Sequence, residues 1–369
     1  MRIFINGRFL SQSMTGVQRY AAEMVKAIDQ SLSSGRAPSE LLDADWQVLT
    51  PDDARSSLDL RRIAVRKIGR RTGHVWDQID LAQAAAGGRL ISLANSGPVL
   101  HRRHLVVIHD AQVFRRPEFF HWTYLAAHRS LGYLLARQAT VATVSQFSRR
   151  ELASVFRLSP QAIPVFPNSA EHFAATAPDF GIIDRLGLTP LKFFLSVGSM
   201  NKNKNISLAI EAAKRLRRPD VPLVVVGGDN SKVFQGGVAA AEEGVILAGR
   251  LTDAEIAALY ARALAFVFPS LYEGFGVPPL EAMMLGCPVI ASTADAIKET
   301  CGDAAAYFNS LDADELAQRM RERVAAGKIS SEEREKQLKR IAAFSWHISA
   351  EGLLDFVAAQ KYQRQPDLD

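Results

Sequence analysis

Only two cysteines, Cys287 and Cys301, occur in 369 residues. That is too few for a disulfide framework or a four-cysteine zinc site, and it points to a reducing compartment. No run approaches the ~20 uninterrupted apolar residues of a membrane-spanning helix. The opening MRIFINGRFL reads as a strand and its loop rather than a secretory signal, so a cytoplasmic protein is expected. Glycine (24) and proline (16) are too sparse for collagen-like or low-complexity chains. No repeat of about 20 to 50 residues marks a solenoid. What is present, 48% hydrophobic and 22% charged residues, fits a folded chain long enough for two domains.

The net charge of +5 is unevenly spread. Residues 1–180 carry 22 Lys/Arg against 15 Asp/Glu, a net of +7, and residues 181–369 carry 22 against 24, a net of −2. A basic half suggests an anionic partner, nucleic acid or a membrane surface, against the plainer reading of a solvated face. No nucleic-acid-binding module is present and the aromatics form no stacking platform, which argues against nucleic acid. The stretch Arg61–Arg71 (RRIAVRKIGRR) has six basic residues in eleven, interleaved with Ile63, Val65 and Ile68. It reads equally as a basic amphipathic element meeting anionic lipid and as a solvated helix face.

Short apolar runs alternate with helical patterns, which predicts parallel α/β architecture. Strands are expected at 2–5, 47–49, 89–92, 105–108, 140–144 and 163–166, with helices at 16–28 and 121–137. After a polar stretch at 169–184, a second series is expected at 193–197, 223–226, 245–247, 265–268 and 289–291. Two doubly wound sheets follow, with ligands beyond the carboxyl ends of their strands.

The most informative segment runs from Phe268 to Pro288 and contains EGFGVPPLE, Glu273 to Glu281. Gly274 and Gly276 allow close backbone approach, Pro278 and Pro279 suit a first helical turn, and Gly286 supplies a helix stop. Exposed N–H groups at such a helix start match a diphosphate. Glu281, within the first turns, can accept from sugar or ribose hydroxyls. Upstream, Ser196 to Asn205 (SVGSMNKNKN) leaves a strand and delivers Lys202 and Lys204, whose ammonium groups can pair with a diphosphate and stabilise a departing nucleotide. His109 should emerge at the carboxyl end of a strand with Asp110 beside it, and Gly16 opens the first long helix. Ser145 and Ser148 read as helix caps, with no Gly-x-Ser-x-Gly elbow around them. The Val226-Gly-Gly-Asp229 run is a weak dinucleotide signal. Asp43-Ala-Asp45 and Asp312-Ala-Asp314 have the Asp-x-Asp form of a metal motif, but in polar, helix-flanking contexts, so no metal site is expected.

The glutamate pair within EGFGVPPLE resembles the donor-site signature of retaining GT-B glycosyltransferases of family 4. The likeness extends through RFL and TGVQRYAAEM, VWDQIDLA, NSGPV, VVIHDAQVF, VSQFSRREL, VFPN, SVGS with KN, AGRLTDAEIAALYARA and FSWHISA. It implies two Rossmann-like domains facing a cleft: residues 1–170 for acceptor, 171–343 for nucleotide-sugar, and 344–369 as a helical segment crossing back. It makes Glu281 the ribose ligand and sets Glu273, with Gly274, Phe275, Gly276 and Val277, towards the donor sugar. It places His109 over that sugar, Gly16 near phosphate and Arg250 near the nucleobase, and it names His109, Glu273 and Lys204 as catalytic. Lys204 matches the family's lysine, whereas Ser199 stands where an arginine is usual, leaving Lys202 as a substitute cation.

The implied activity is metal-independent transfer of a hexose with retention, without a cofactor. The implied donor is a nucleotide-sugar, GDP-mannose or a UDP-sugar, with mannose the sugar the resemblance favours. The implied acceptor is a lipid-linked glycan of lipopolysaccharide or exopolysaccharide synthesis, met at the inner face of the plasma membrane. The alternatives are another GT-B enzyme, an epimerase or phosphorylase, or a non-catalytic nucleotide-sugar-binding membrane adaptor.

Overall fold

A computed structural model of the chain describes residues 1–227 and 244–359. It divides into two compact units: Met1–Asn168 with the described residues from Ser345 onward, and Ser169–Phe344.

In the first unit, six parallel strands stand in the order β3-β2-β1-β4-β5-β6. They are β1 (Arg2–Asn6), β2 (Asp45–Thr50), β3 (Ala64–Lys67), β4 (Arg89–Ser92), β5 (His104–Val107) and β6 (Thr140–Ala142). Parallel pairing requires crossovers, and the helices that provide them cover the sheet, so the inner strands are apolar on both faces. All four residues of β5 are buried. The helix Gly16–Ser33 buries Tyr20, Met24, Val25, Ile28 and Leu32 at helical spacing. The helix Trp346–Ala358 packs against it, with the Trp346 ring edge-on to Tyr20 at 5.7 Å. Arg89 Nη1 donates to the Val357 carbonyl at 2.5 Å and Ser349 Oγ to that of Pro167 at 2.8 Å, which fixes the returning helix to this unit.

The second unit repeats the topology in the order β12-β11-β10-β7-β8-β9. Its strands are β7 (Phe194–Val197), β8 (Leu223–Val226), β9 (Val245–Gly249), β10 (Ala265–Phe268), β11 (Val289–Ser292) and β12 (Ala306–Phe308). Phe194, Leu223, Val225, Ala265, Val267, Ile290 and Phe308 form a core with the helices Ile206–Leu216 and Ala313–Ala326. Each large aliphatic or aromatic side chain fully buried there contributes about 1.5–3 kcal/mol. In both sheets the strand order reverses beside the first strand, at β1/β4 and β7/β10, and the crevice at such a point is the ligand position of a doubly wound fold.

Three sequence expectations need correction. Residues 163–166 form no strand: Val165 makes a single bridge to Thr143, because Pro164 lacks the N–H that would extend the ladder. Residues 61–71 are not a helix. Their centre is β3, an exposed edge strand, and Ile63 and Ile68 are buried at 3% and 9% exposure, so of the three interleaved apolar residues only Val65 faces solvent. The backbone N–H groups of Arg61, Arg62 and Ile63 all donate to the buried Asp29 carboxylate, which anchors the segment from inside. The stretch 169–184 is not a simple polar connection, since it buries Phe173, Ile182 and Ile183.

Candidate functional site

At the switch point of the second sheet, two loops meet. The loop after β7 begins with Gly198, whose N–H donates to the Val226 carbonyl at 2.9 Å. Gly227 lies against it with φ +112°, and a Cβ there would stand 2.2 Å from the Gly198 oxygen, so only glycine fits. Lys202–Lys204 make one 3-10 turn, and Asn205, left-handed at φ 52°, donates from Nδ2 to the carbonyls of Ser310 (2.8 Å) and Pro269 (3.3 Å). The Leu271 N–H donates to the Asn203 carbonyl at 2.8 Å, which ties this loop to the one after β10.

That second loop leads through Gly276, at φ +97°, into the helix Val277–Met284 with proline in its first turn. The Phe275 carbonyl accepts from Thr300 Oγ1 at 2.6 Å and its ring meets Phe344 edge-on at 5.1 Å. Phe275 therefore anchors the turn with its side chain and carbonyl, which leaves its N–H as the group it can offer a ligand. Gly274 is buried beside it.

The pairing of Lys204 with Glu273 was not foreseen from the sequence. Lys204 Nζ lies 2.7 Å from Glu273 Oε1, with side-chain exposures of 22% and 12%, and 5.6 Å from the Phe268 ring centroid. An ammonium so placed is compensated by carboxylate and ring face, and it can take a phosphate oxygen with its remaining donors. Lys202 and Ser199 are exposed on the same loop, and Arg250 is exposed directly after β9. Glu281, buried in the helix Val277–Met284, accepts from His172 Nε2–H at 3.2 Å on Oε1 and from the Tyr260 hydroxyl at 3.4 Å on Oε2. Burial, reinforced by the Glu281 charge, pushes the Tyr260 pKa well above its usual 10, so this hydroxyl remains a donor.

In the first unit, His109 follows β5 and is buried. Its Nε2–H donates to the Leu93 carbonyl at 2.9 Å, which leaves the lone pair on Nδ1. Its ring stands edge-on to Tyr20 at 4.7 Å. Burial lowers its pKa to about 4, with the Leu93 bond opposing only partly, so the ring is neutral at pH 7. The Asn95 carboxamide oxygen accepts the His109 backbone N–H at 2.8 Å, and Ser148 Oγ donates to the His109 carbonyl at 2.9 Å. Ser145 caps the helix Gln146–Phe156 by accepting the Ser148 N–H, the role its sequence suggested. Gly16 is the first residue of its helix, exposed, and a Cβ there would meet none of the described residues within 4 Å.

A polar network at the ends of β1 and β4 also escaped the sequence reading. Arg8 Nε lies 3.1 Å from the wholly buried Asp77 Oδ2, and Arg8 Nη2 donates to Ser96 Oγ at 2.7 Å. Asn6 Nδ2 donates to Asp77 Oδ1 at 3.1 Å. A buried charge of this kind is tolerable only when paired and hydrogen-bonded, as Asp77 is.

The two Asp-x-Asp matches are engaged locally. Asp312 caps the helix Ala313–Ala326 through the N–H groups of Asp314 and Glu315, and Asp45 accepts from Gln47. Among the described residues there is no cluster of three metal-ligating side chains. No described helix is long and apolar enough to cross a membrane. Gly228 and Asp229 of the weak dinucleotide match lie outside the described residues.

Two parallel sheets, each in the order of a dinucleotide-binding fold, define the GT-B class. Solved GT-B structures have the same fold. A sucrose-phosphate synthase from Thermosynechococcus elongatus superposes with a TM-score of 0.70 at 16% identity, over 97% of this chain and 98% of that one. HepE from Anabaena, in complex with UDP and glucose, gives 0.67 at 17% identity, over 97% and 100%. Residues 184–342 match the family described as glycosyl transferases group 1. Those residues, under half of the chain, carry that family's glycosyltransferase domain. The chain is 27% identical over 345 residues to the O-antigen chain mannosyltransferase B of Escherichia coli, covering 86% of this chain and 89% of that one.

Proposed function

We propose that this glycosyltransferase moves a hexose, mannose from GDP-mannose in the favoured reading, onto a lipid-linked glycan of lipopolysaccharide or exopolysaccharide synthesis, with retention and without a metal ion. The observation that carries the donor assignment is the contact of Lys204 with Glu273 between the two loops at the β7/β10 switch point, beside the Gly276 turn that opens the helix bearing Glu281. The mannosyltransferase name of the Escherichia coli relative supports the sugar. The UDP and glucose in the HepE title support a nucleotide-sugar as donor class, with a UDP-sugar as the second choice of nucleotide.

In this reading the N–H groups of the Gly274–Val277 turn and the ammonium of Lys204 take the diphosphate, assisted by Lys202 and Ser199. Glu281 takes the ribose, Glu273 a donor-sugar hydroxyl, and Arg250 lies at the base. Gly16 adds N–H groups for phosphate. His109, neutral with its lone pair on Nδ1, accepts a sugar hydroxyl. The bond from C1 to the phosphate oxygen breaks and the acceptor oxygen bonds C1 on the same face. The acceptor proton passes to the leaving phosphate oxygen. Charge stabilisation at that phosphate supplies most of the rate.

The first unit takes the acceptor, and its basic surface draws the enzyme to an anionic membrane. The test is release of GDP or UDP from a panel of nucleotide-sugars with lipid-linked glycan acceptors, and the anomeric configuration of the product. An inverted product, or no acceptor-dependent release from any donor, refutes the reading.

A further inference from the structure

Glu281 is held from two sides, by His172 and by Tyr260. His172 comes from the short helix Glu171–Ala174, where Thr176 Oγ1 donates to its carbonyl at 2.8 Å. Its side chain is 6% exposed, and its Nε2–H reaches Glu281 Oε1 at 3.2 Å. Its other nitrogen, Nδ1, is buried with no hydrogen-bond partner among the described residues. The imidazole is thus kept in place for the contact made by Nε2 and at the expense of Nδ1, an arrangement that packing alone does not require. Tyr260, fully buried and edge-on to Phe173 and Phe266 at 5.8 and 5.2 Å, bonds the opposite carboxylate oxygen.

We propose that His172 is a positioning residue which, with Tyr260, fixes the Glu281 carboxylate so that its remaining lone pairs accept the two hydroxyls of a ribose diol. A carboxylate offers roughly four acceptor directions, two on each oxygen. His172 takes one on Oε1 and Tyr260 one on Oε2, which leaves one on each oxygen, the pattern that two adjacent hydroxyls satisfy together. With either partner removed, the carboxylate rotates and the paired acceptor geometry is lost while its charge remains. The inference rests on the reading of Glu281 as the ribose ligand and adds the device that orients it.

The experiment measures calorimetric binding of GDP and UDP, and of their 2′-deoxy forms, to the full chain. The tighter-binding nucleotide is used to form a ribo/deoxy affinity ratio. The wild-type ratio is expected on the order of ten- to a hundred-fold, the value of a hydroxyl bonded to a charged group. Glu281→Ala should reduce it to about one, and His172→Ala to within about three-fold, with affinity for the deoxy form nearly unchanged. His172→Gln should restore most of the ratio, because its amide can donate to Oε1. A folded His172→Ala protein with the wild-type ratio overturns the proposal, as does equal weakening of both forms, which marks a purely structural histidine. If His172→Ala does not fold, Tyr260→Phe carries the test: a reduced ratio supports the proposal and an unchanged one overturns it. An unchanged ratio in Glu281→Ala, or binding of neither diphosphate, overturns the ribose reading itself and the inference with it.

Discussion

Lowering the pH should destabilise the first unit by a calculable amount through two buried histidines. Burial lowers the His109 pKa to about 4. Burial, then the nearby His101, lowers that of His104 to about 3, against opposing contributions from Asp77 and the Pro98 backbone. Both groups are neutral in the folded chain, while in the unfolded chain each titrates near 6.5. Below about pH 6.5 the unfolded state therefore binds protons that the folded state refuses. The stability present above 6.5 is lost as pH falls towards the folded values, at about 1.4 kcal/mol per pH unit per histidine. By about pH 5 the loss is about 2 kcal/mol for each and about 4 kcal/mol for the pair. Urea unfolding followed by tryptophan fluorescence at about pH 7.5, 6 and 5 measures it, since Trp46, Trp76 and Trp346 are buried in this unit. His109→Asn and His104→Gln should each be less stable at neutral pH and each reduce the loss at about pH 5 by about 2 kcal/mol. A flat wild-type profile, or variants that keep the full slope, would refute the burial argument. Because His109 remains neutral to about pH 4, any acid limb in turnover above about pH 5 must arise from another group.

Three further outcomes are expected. Gly227→Ala should destabilise the second unit by several kcal/mol, about 2 or more, and lower nucleotide affinity, because its Cβ pushes on the Gly198 carbonyl at the root of the Lys204 loop; thermal unfolding with nucleotide titration checks both. Turnover should survive EDTA, and recovery only with Mn²⁺ or Mg²⁺ would show that a carboxylate site had been overlooked. Sedimentation with anionic vesicles should be salt-sensitive and should weaken when Arg61, Arg62, Arg66 and Lys67 are replaced by Gln, each contributing on the order of 1 kcal/mol; Val65→Ser should matter little, since with Ile63 and Ile68 buried the contact is electrostatic.

The parallel α/β plan was legible because buried parallel strands are continuous apolar runs, such as Leu105–Val107 and Leu223–Val226. The strands that escaped notice lie at sheet edges. Ala64–Lys67 is exposed throughout and half basic, and Ala306–Phe308 has only three residues, so neither carries a core-facing pattern. At the site, residues close in sequence were readable: the Gly276 turn, its prolines and the lysines after β7 are local motifs with local causes. Contacts between distant segments were not. Lys204 meets Glu273 across 69 positions, and His172 meets Glu281 across 109. A lone histidine in a polar stretch gives no sign of its partner, because that partner is chosen by tertiary packing. Asp77 was equally hidden, since a buried carboxylate and a solvated one are spelled alike.

The chain leaves the first unit after Asn168 and rejoins it at Ser345, and these two passages lie side by side. Ser169 Oγ donates to the Phe344 carbonyl at 3.1 Å on one side of them, and Ser349 Oγ to the Pro167 carbonyl at 2.8 Å on the other. Residues 169–344 are in effect a cassette inserted into a host. Its ends are adjacent, so a host closed by a few residues joining Asn168 to Ser345 would keep its sheet and its returning helix, and the cassette would keep every strand of its own. Under the proposed reading of this unit as the nucleotide-sugar site, units of different nucleotide preference should be exchangeable at a single pair of neighbouring junctions.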